Sequence, residues 1–171
     1  MFGNLSYVED DHVWAIELGQ FMGCYELATH NGRHHQQIPE LEHEINWRLS
    51  AHDIPYSLPD HDGDTGPIIT TKLSRQLTRV LGPAHCAFFL IGEAACILRE
   101  GSRFATDEQK PDIQEVARQR LYQVQYQCTG ISLDCRAFWD VMMAQAPGDL
   151  TTPRLKSLFF PEFCQRSVVF T

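Results

Sequence analysis

Residues 83–99 read PAHCAFFLIGEAACILR and contain the longest apolar run of the 171-residue chain. Apolar residues occupy nearly every position of this stretch, so a helix formed here has no polar face. A helix of that kind is surrounded by other helices. Pro83 is well placed in its first turn, and Gly82 can end the helix that precedes it. The stretch therefore predicts the central helix of an all-α protein.

Apolar residues on its N-terminal side recur at spacings of four and three, which is typical of a helix with one buried face. They are Trp14, Leu18, Phe21, Tyr25 and Ala28. Asp10 and Asp11 can cap this helix, and Asn31 followed by a glycine can end it. A second helix is predicted with Pro39 in its first turn and an end before Pro55, because the residue before a proline avoids the α region.

On the C-terminal side, a third helix is predicted over 68–81, just before the central one, and a loop over 101–111 after it. The same spacing of apolar residues then continues through 112–146, at Ala117, Leu121, Val124, Cys128, Ile131, Cys135, Phe138 and Met142. Gly130 lies within this series, and glycine costs a helix about 1 kcal/mol relative to alanine. One long helix or two consecutive helices both fit the pattern.

Residues 151–171 are rich in leucine, phenylalanine and valine. A tail this apolar is expected to dock on the body of the protein, since a free one would promote aggregation. No segment before the tail shows the alternation typical of a strand. We therefore predict one helical domain over 1–171, a compact bundle of five to seven helices around the central helix at about 83–99, with a docked apolar tail.

Charge is unevenly distributed along the chain. Residues 1–66 carry 12 of the 22 acidic residues, 7 of the 8 histidines and two basic residues, which gives this third a formal charge of −10. Direct nucleic-acid binding is disfavoured, because phosphate backbones are bound mainly by lysine and arginine. No stretch approaches the ~18 apolar residues of a membrane span, and the N-terminus lacks the pattern of a secretory signal. We expect a cytoplasmic protein that does not bind membranes.

The leading hypothesis is an acidic regulatory or protein–protein interaction protein, such as an adaptor, an inhibitor or a subunit. Its predicted binding surface combines acids of the second helix with aromatic residues of the tail: Glu40, Glu42, Glu44, Phe159, Phe160 and Phe163. Electrostatic complementarity favours another protein with a basic surface as the partner. This function needs no cofactor, and a homo-oligomer stays open.

Glu93 interrupts the most apolar helix and is the candidate catalytic residue. A carboxylate buried there must be paired, hydrogen-bonded or protonated. One interpretation is an ion pair with an arginine of the second half of the chain, and the other is an acid that lines a pocket. The arginines considered are Arg75, Arg79, Arg99, Arg118 and Arg120.

The alternative hypothesis is a metal-dependent enzyme that acts on a phosphorylated small molecule. Asp60, Asp62 and Asp64 alternate beside two glycines, a pattern that can direct several carboxylates at one divalent metal ion. The string at 62–66, DGDTG, resembles the Mg²⁺-binding stretch of dihydroxyacetone-kinase-like and fatty-acid-kinase-like proteins. The other interpretation is a polar turn held by hydrogen bonds from the aspartate side chains.

A second motif also bears on metal binding. His52 and Asp53, at the predicted end of the second helix, resemble the His-Asp doublet of HD-domain phosphohydrolases. Those proteins are all-helical, and their metal activates water against a phosphoester. The resemblance implies His52 and Asp53 as ligands, with His30 or His34 as the upstream ligand and Asp107 or Asp112 as the downstream one.

Two further patterns have simpler interpretations beside the functional ones. Glu40 and His43 have the spacing used in di-iron helical bundles, and Glu26 with His30 can join them, but a solvated acidic face fits equally. The six cysteines form no C-x-x-C pair, and we interpret them as small core residues in the reduced form.

Overall fold

The structure, a computed structural model, describes residues 2–31, 35–58, 66–128 and 133–158. The described residues contain two 3₁₀ turns, His35–Gln37 and Pro147–Asp149, and no strand. They also contain seven helices and one single α-helical turn, so the predicted all-α fold is confirmed. In chain order they are α1 (Phe2–Asn31), α2 (Ile38–Ala51), α3 (Gly66–Val80), α4 (Pro83–Phe104), α5 (Lys110–Tyr122), the single turn α6 (Val124–Gln127), α7 (Cys135–Met143) and α8 (Thr152–Leu158).

The central position predicted for residues 83–99 is confirmed. Every residue of α4 from 86 to 98 is buried. The helix packs against α1, α3 and α5, and its C-terminal part also contacts the segment that ends in α8. It continues to Phe104, beyond the predicted end at 99, because residues 100–104 hold no proline to stop it.

Helices α1 and α4 approach so closely that their backbones touch. A Cβ atom placed on Gly19 would lie 2.0 Å from the carbonyl oxygen of Phe89, and one placed on Gly92 would lie 2.2 Å from that of Ile16. Real Cβ atoms do not come that close to a carbonyl, so both positions require glycine. This contact fixes the register of α1 on α4 and so determines which residues of α1 face the acid in the middle of α4.

Helices α1, α2 and α3 end close to where the sequence predicts, but the start of α1 differs from its prediction. Helix α1 begins at Phe2 and not at Asp10 or Asp11, because no proline interrupts the preceding residues and the helix continues through both acids. Gly82 has a φ of 116° between α3 and α4, so it ends α3 as predicted.

Region 112–146 contains neither one long helix nor two of similar length. Helix α5 ends at Tyr122, the single turn α6 ends at Gln127, and α7 begins after Asp134, whose side chain accepts a hydrogen bond from Ala137 N at 3.0 Å. Despite these breaks, the apolar positions of the predicted series are buried in the described residues: Ala117, Leu121, Val124, Cys128, Cys135, Phe138 and Met142. The spacing identified the buried face correctly, although the helix is interrupted.

The first part of the C-terminal tail docks on the body. Leu150 and Leu155 are buried. Arg99 donates a hydrogen bond to the carbonyl oxygen of Leu150, and Gln20 of α1 donates one to Thr152 at 3.0 Å. The rest of the tail, with Phe159, Phe160 and Phe163, lies outside the described residues. Among the helices that the structure describes, none is both long and apolar enough to cross a membrane.

Candidate functional site

A cavity of about 680 Å³ lies between α1, the start of α3, the end of α4 and α5. We call it the inter-helical pocket. Its walls are mainly apolar, with Leu27, Ile97, Ile113 and Val116 among the lining residues. Ligand pockets in proteins are typically about 300–1,000 Å³ and apolar, with a few convergent polar groups. The volume and the lining of this pocket fit that description.

Two charged side chains form part of its wall, Glu26 from α1 and Arg120 from α5. Both are largely buried, with side chains 8% and 7% exposed. Arg120 Nε lies 3.3 Å from each carboxylate oxygen of Glu26 and 3.8 Å from Oε1 of Glu93, which is fully buried behind them. Arg120 is thus one of the five arginines that the sequence offered as a partner for Glu93, and it is shared between two carboxyl groups.

Thr70 of α3 joins the two acids. Its hydroxyl oxygen lies 2.8 Å from Glu93 Oε2, 2.9 Å from Glu26 Oε1 and 2.9 Å from the carbonyl oxygen of Gly66. A hydroxyl has one hydrogen to donate, and four acceptor oxygens lie within 3.2 Å of it, Glu93 Oε1 being the fourth. A proton held by one of the two carboxyl groups would supply a second hydrogen to this set of oxygens.

Of the two acids, Glu93 has the surroundings that favour the protonated form. Burial raises the pKa of its carboxyl well above the ordinary value, and the nearby Glu26 raises it further. Arg120 and the hydrogen bond from Thr70 act in the opposite direction but do not cancel these effects. Glu26 and Arg120 then form a charged pair at the pocket wall, and the neutral Glu93 lies behind it. We call Glu26, Thr70, Glu93 and Arg120 the buried charge cluster.

The helix packing places these groups together. Gly19, Gly23 and Glu26 follow one another at spacings of four and three, so Glu26 continues the α1 stripe that packs on α4. A Cβ atom placed on Gly66 would lie 2.9 Å from Glu26 Oε1. The absence of a side chain at Gly66 therefore leaves room for the Glu26 carboxylate between α3 and α5.

No family model, curated protein or solved structure matches the chain.

The acids predicted for the binding surface lie on α2, in two different environments. Glu40 and Glu44 are exposed, and Glu44 also pairs with Arg48 at 3.3 Å. Glu42 is half-buried and accepts a hydrogen bond of 3.2 Å from Tyr25, and burial together with this acid raises the pKa of Tyr25 to about 12. The exposed side of α2 also carries Trp47, which is 63% exposed.

His52 and Asp53 form the end of α2. The ring of His52 lies on that of Trp14, with 3.9 Å between centroids, and Asp53 has a φ of 57°. Asp53 N donates to the carbonyl oxygen of Ser50 at 3.1 Å, and Ile54 N donates to that of Leu49 at 2.9 Å. These are the two hydrogen bonds of a Schellman motif, in which a residue in the left-handed conformation ends a helix. The doublet therefore has a structural role that does not depend on a metal.

The other residues of the metal hypothesis are not brought together by anything that the structure describes. The side chains of His30 and His34, and the whole of Asp60, Asp62 and Asp64, lie outside the described residues. Within the described part of the chain, no group of three histidine, cysteine or acidic side chains is close enough to hold a metal ion. Metal binding stays a prediction.

The sequence distinguishes Glu93 but not the residues that assemble around it. No pattern marks Thr70, and the spacing of Glu26 relates it only to His30. Arg120 lies three residues after Ala117 and four before Val124, so it falls on the buried face of the apolar series. A charged residue on that face was the one signal that could have distinguished Arg120 from the other arginines.

Proposed function

We propose that the protein binds a small amphipathic molecule in the inter-helical pocket. The observation that carries this proposal is the Glu26–Arg120 pair, a charged contact less than one-tenth exposed at the wall of a mainly apolar cavity. Apolar walls can hold the body of a ligand, and the pair can orient its polar end. Charge-assisted hydrogen bonds at such a buried position discriminate strongly between ligands.

A pocket-filling variant tests the proposal. Val116 lines the pocket and is 37% exposed, so Val116→Trp places a large ring at its mouth without disturbing the core. Val80→Trp is the matched control, because Val80 is 40% exposed on α3 and does not line the pocket. In a thermal-shift screen of small amphipathic molecules, hits should raise the Tm of the wild type and of Val80→Trp by several degrees at about 100 times Kd.

The same hits should lose most of that effect in Val116→Trp. Two results would overturn the proposal. One is a screen without any saturable hit on the wild type, and the other is a set of hits that stabilise Val116→Trp as much as the control.

A second candidate function is favoured by a separate observation, the exposure of Trp47 beside Glu40 and Glu44. We propose this acidic face of α2 as a docking site for a partner protein with a basic surface, as in a regulatory or adaptor protein. Tryptophan is enriched among the residues that dominate interface energies, and the flanking carboxylates supply charge complementarity. The net charge of −8 supports steering towards a basic partner.

A synthetic helical peptide rich in lysine and leucine is a suitable probe for this face. We expect its Kd to rise by about tenfold in Trp47→Ala and by several-fold in Glu40→Gln/Glu44→Gln, and the effect of the acids should shrink at high salt. Tyr126→Ala is the control for the aromatic ring, since Tyr126 is 74% exposed on α6. Equal affinity for the wild type and both α2 variants would show that this face is not the docking site.

A further inference from the structure

The charges around the inter-helical pocket point to the chemical class of its ligand. Resting on the proposed function, we infer that the pocket takes a primary amine with an apolar body, whose ammonium group pairs with the carboxylate of Glu26. The apolar body would lie against Leu27, Ile97 and Ile113. An ammonium group offers three hydrogen-bond donors, and the carboxylate of Glu26 accepts.

The charged residues that line the pocket favour a cationic ligand. Among the described lining residues, Arg120 is the one basic side chain, while Glu26 and Asp112 are acidic. The guanidinium of Arg120 already lies 3.3 Å from Glu26 and 3.8 Å from Glu93. An anionic head group would therefore meet more carboxylate than cation. An ammonium group supplies a second cation to a pocket lined by two acids and one base.

Binding of a cation at Glu26 is expected to change the protonation of Glu93. Without a ligand, the carboxylate of Glu26 balances Arg120, and Glu93 is neutral. When an ammonium group pairs with Glu26, Arg120 can neutralise Glu93 instead, since its Nε is 3.8 Å from Oε1. Glu93 then gives up its proton to the solvent, and two cations balance two carboxylates. Each bound ammonium ion is expected to release up to one proton.

The groups that face Glu93 come from three helices. Glu26 of α1 raises its pKa, while Arg120 of α5 and the hydroxyl of Thr70 on α3 lower it. Thr70 contacts both acids, at 2.9 Å from Glu26 Oε1 and 2.8 Å from Glu93 Oε2. The hydroxyl of Thr70 therefore connects Glu26 directly to Glu93. A cation bound at Glu26 lies close enough to change the protonation of Glu93.

Three probes with one apolar body separate the head-group classes. Hexylammonium, hexan-1-ol and hexanoate are titrated into the wild-type protein at pH 7 by calorimetry. We expect hexylammonium to bind at least about tenfold more tightly than hexan-1-ol, and hexanoate to bind most weakly. If hexan-1-ol binds equally well, or hexanoate binds best, the amine inference is wrong while the proposed pocket function stands. If each of the three probes binds Val116→Trp as tightly as it binds the wild type, the pocket itself is the wrong site.

The number of protons released on binding is a second test, because a pocket in which Glu93 keeps its protonation state would release none. The hexylammonium titration is repeated in phosphate and in Tris, because the difference in heat between buffers counts the protons released. The wild type should release up to one proton per ligand, and Glu93→Gln should release none and bind about tenfold more weakly, since no carboxylate remains to offset the second cation. Asp140→Asn, at an exposed acid of α7, a helix that does not line the pocket, should behave as the wild type.

The wild type alone provides the same test if Glu93→Gln does not fold. Hexylammonium affinity should rise by up to about tenfold per pH unit over the range in which Glu93 still holds its proton in the free protein. The same number of released protons in the wild type and in Glu93→Gln, or an affinity that does not change with pH, would overturn the inference.

Discussion

Arg120 Nε lies 3.3 Å from both carboxylate oxygens of Glu26, although the two residues are 94 positions apart in the chain. The pair connects α1 to α5 across the end of α4. Both side chains are almost completely buried, and Glu93 lies behind them. The guanidinium therefore compensates two acids that have little access to water, and the stability of this end of the bundle depends on it.

Replacing Arg120 should be strongly destabilising. Arg120→Leu keeps much of the apolar volume but leaves two buried carboxyl groups without a cation, and removing one partner of a buried pair costs about 3–5 kcal/mol. Urea unfolding at pH 7 measures this loss of free energy of unfolding. Arg118→Leu is the control, because Arg118 is exposed on the same helix and a surface pair contributes about 1 kcal/mol or less. Similar small losses in both variants would refute a structural role for Arg120.

The pH dependence of stability should report on Glu93. Its pKa is raised by burial in the folded state, so the folded protein holds a proton that the unfolded chain releases above the ordinary value of 4.5. Stability from this group is present below that value and is lost as pH rises towards the raised pKa, by about 1 kcal/mol per pH unit.

In Glu93→Gln the side chain at position 93 has no ionisable group. The loss of stability with rising pH that Glu93 causes should therefore be absent. The difference in free energy of unfolding between Glu93→Gln and the wild type should therefore move in favour of the variant from pH 4.5 towards neutral pH. Denaturant unfolding at several pH values gives this difference, and parallel pH profiles for the two proteins would contradict the prediction.

The contact between α1 and α4 should tolerate no added methyl group. In Gly19→Ala and Gly92→Ala the new Cβ would overlap a carbonyl oxygen of the facing helix, at 2.0 and 2.2 Å, so the helices must separate. Overpacking of this kind costs about 1–3 kcal/mol or more, in spite of the better helix propensity of alanine. Gly148→Ala is the control, since nothing lies within 4 Å of its Cβ position. Thermal unfolding should show a lower Tm for Gly19→Ala and Gly92→Ala than for the wild type, and an unchanged Tm for Gly148→Ala. Unchanged Tm values in all three variants would contradict the close approach of α1 and α4.

Asp53 offers a test of two interpretations of one motif. If its role is to end α2 in the left-handed conformation, Asp53→Gly should raise the free energy of unfolding by up to about 1 kcal/mol, because glycine adopts positive φ without strain. Asp53→Ala should be less stable than Asp53→Gly. If Asp53 is instead a metal ligand, stabilisation of the wild type by Mn²⁺ or Zn²⁺ should disappear in both variants. A thermal-shift series with and without these ions separates the two interpretations.

The comparison of sequence and structure shows what each pattern could predict. The apolar run around Phe89 identified the central helix because burial on all sides is visible in the residue types alone. The apolar series through Phe138 identified a buried face but not its interruptions, since spacing reports the side of a helix and not its continuity. The cap at Asp134 was the local signal for the last break, and it was overlooked.

The candidate site was harder to predict because it is built from residues far apart in the chain. Glu93 stood out as a charge in an apolar helix, yet its partners Glu26, Thr70 and Arg120 come from three other helices. Their meeting depends on the register of α1 on α4, which the glycine contacts fix. A single sequence contains the glycines but does not show which carbonyl each one faces.

Cys24 and Cys96 illustrate the same dependence on helix register, and they lead to a last prediction. Their Sγ atoms are 3.4 Å apart, beside the point where Gly23 packs on Cys96. The hydrogen bond between the two thiols lowers the pKa of Cys24 and raises that of Cys96. Cys24 is also the one described cysteine that is not buried, so it should react first with an oxidant.

Hydrogen peroxide should convert Cys24 to a sulfenic acid with loss of water, and attack by Cys96 should release a second water and form a disulfide. Peptide mapping by mass spectrometry should find Cys24 joined to Cys96. A cross-link between residues 72 positions apart can raise the free energy of unfolding by up to about 4 kcal/mol. In Cys96→Ser, Cys24 should instead remain trapped as the sulfenic acid or its adducts. A wild-type protein whose Cys24 stays unmodified, or pairs with another cysteine, would show that the two thiols are not neighbours in solution.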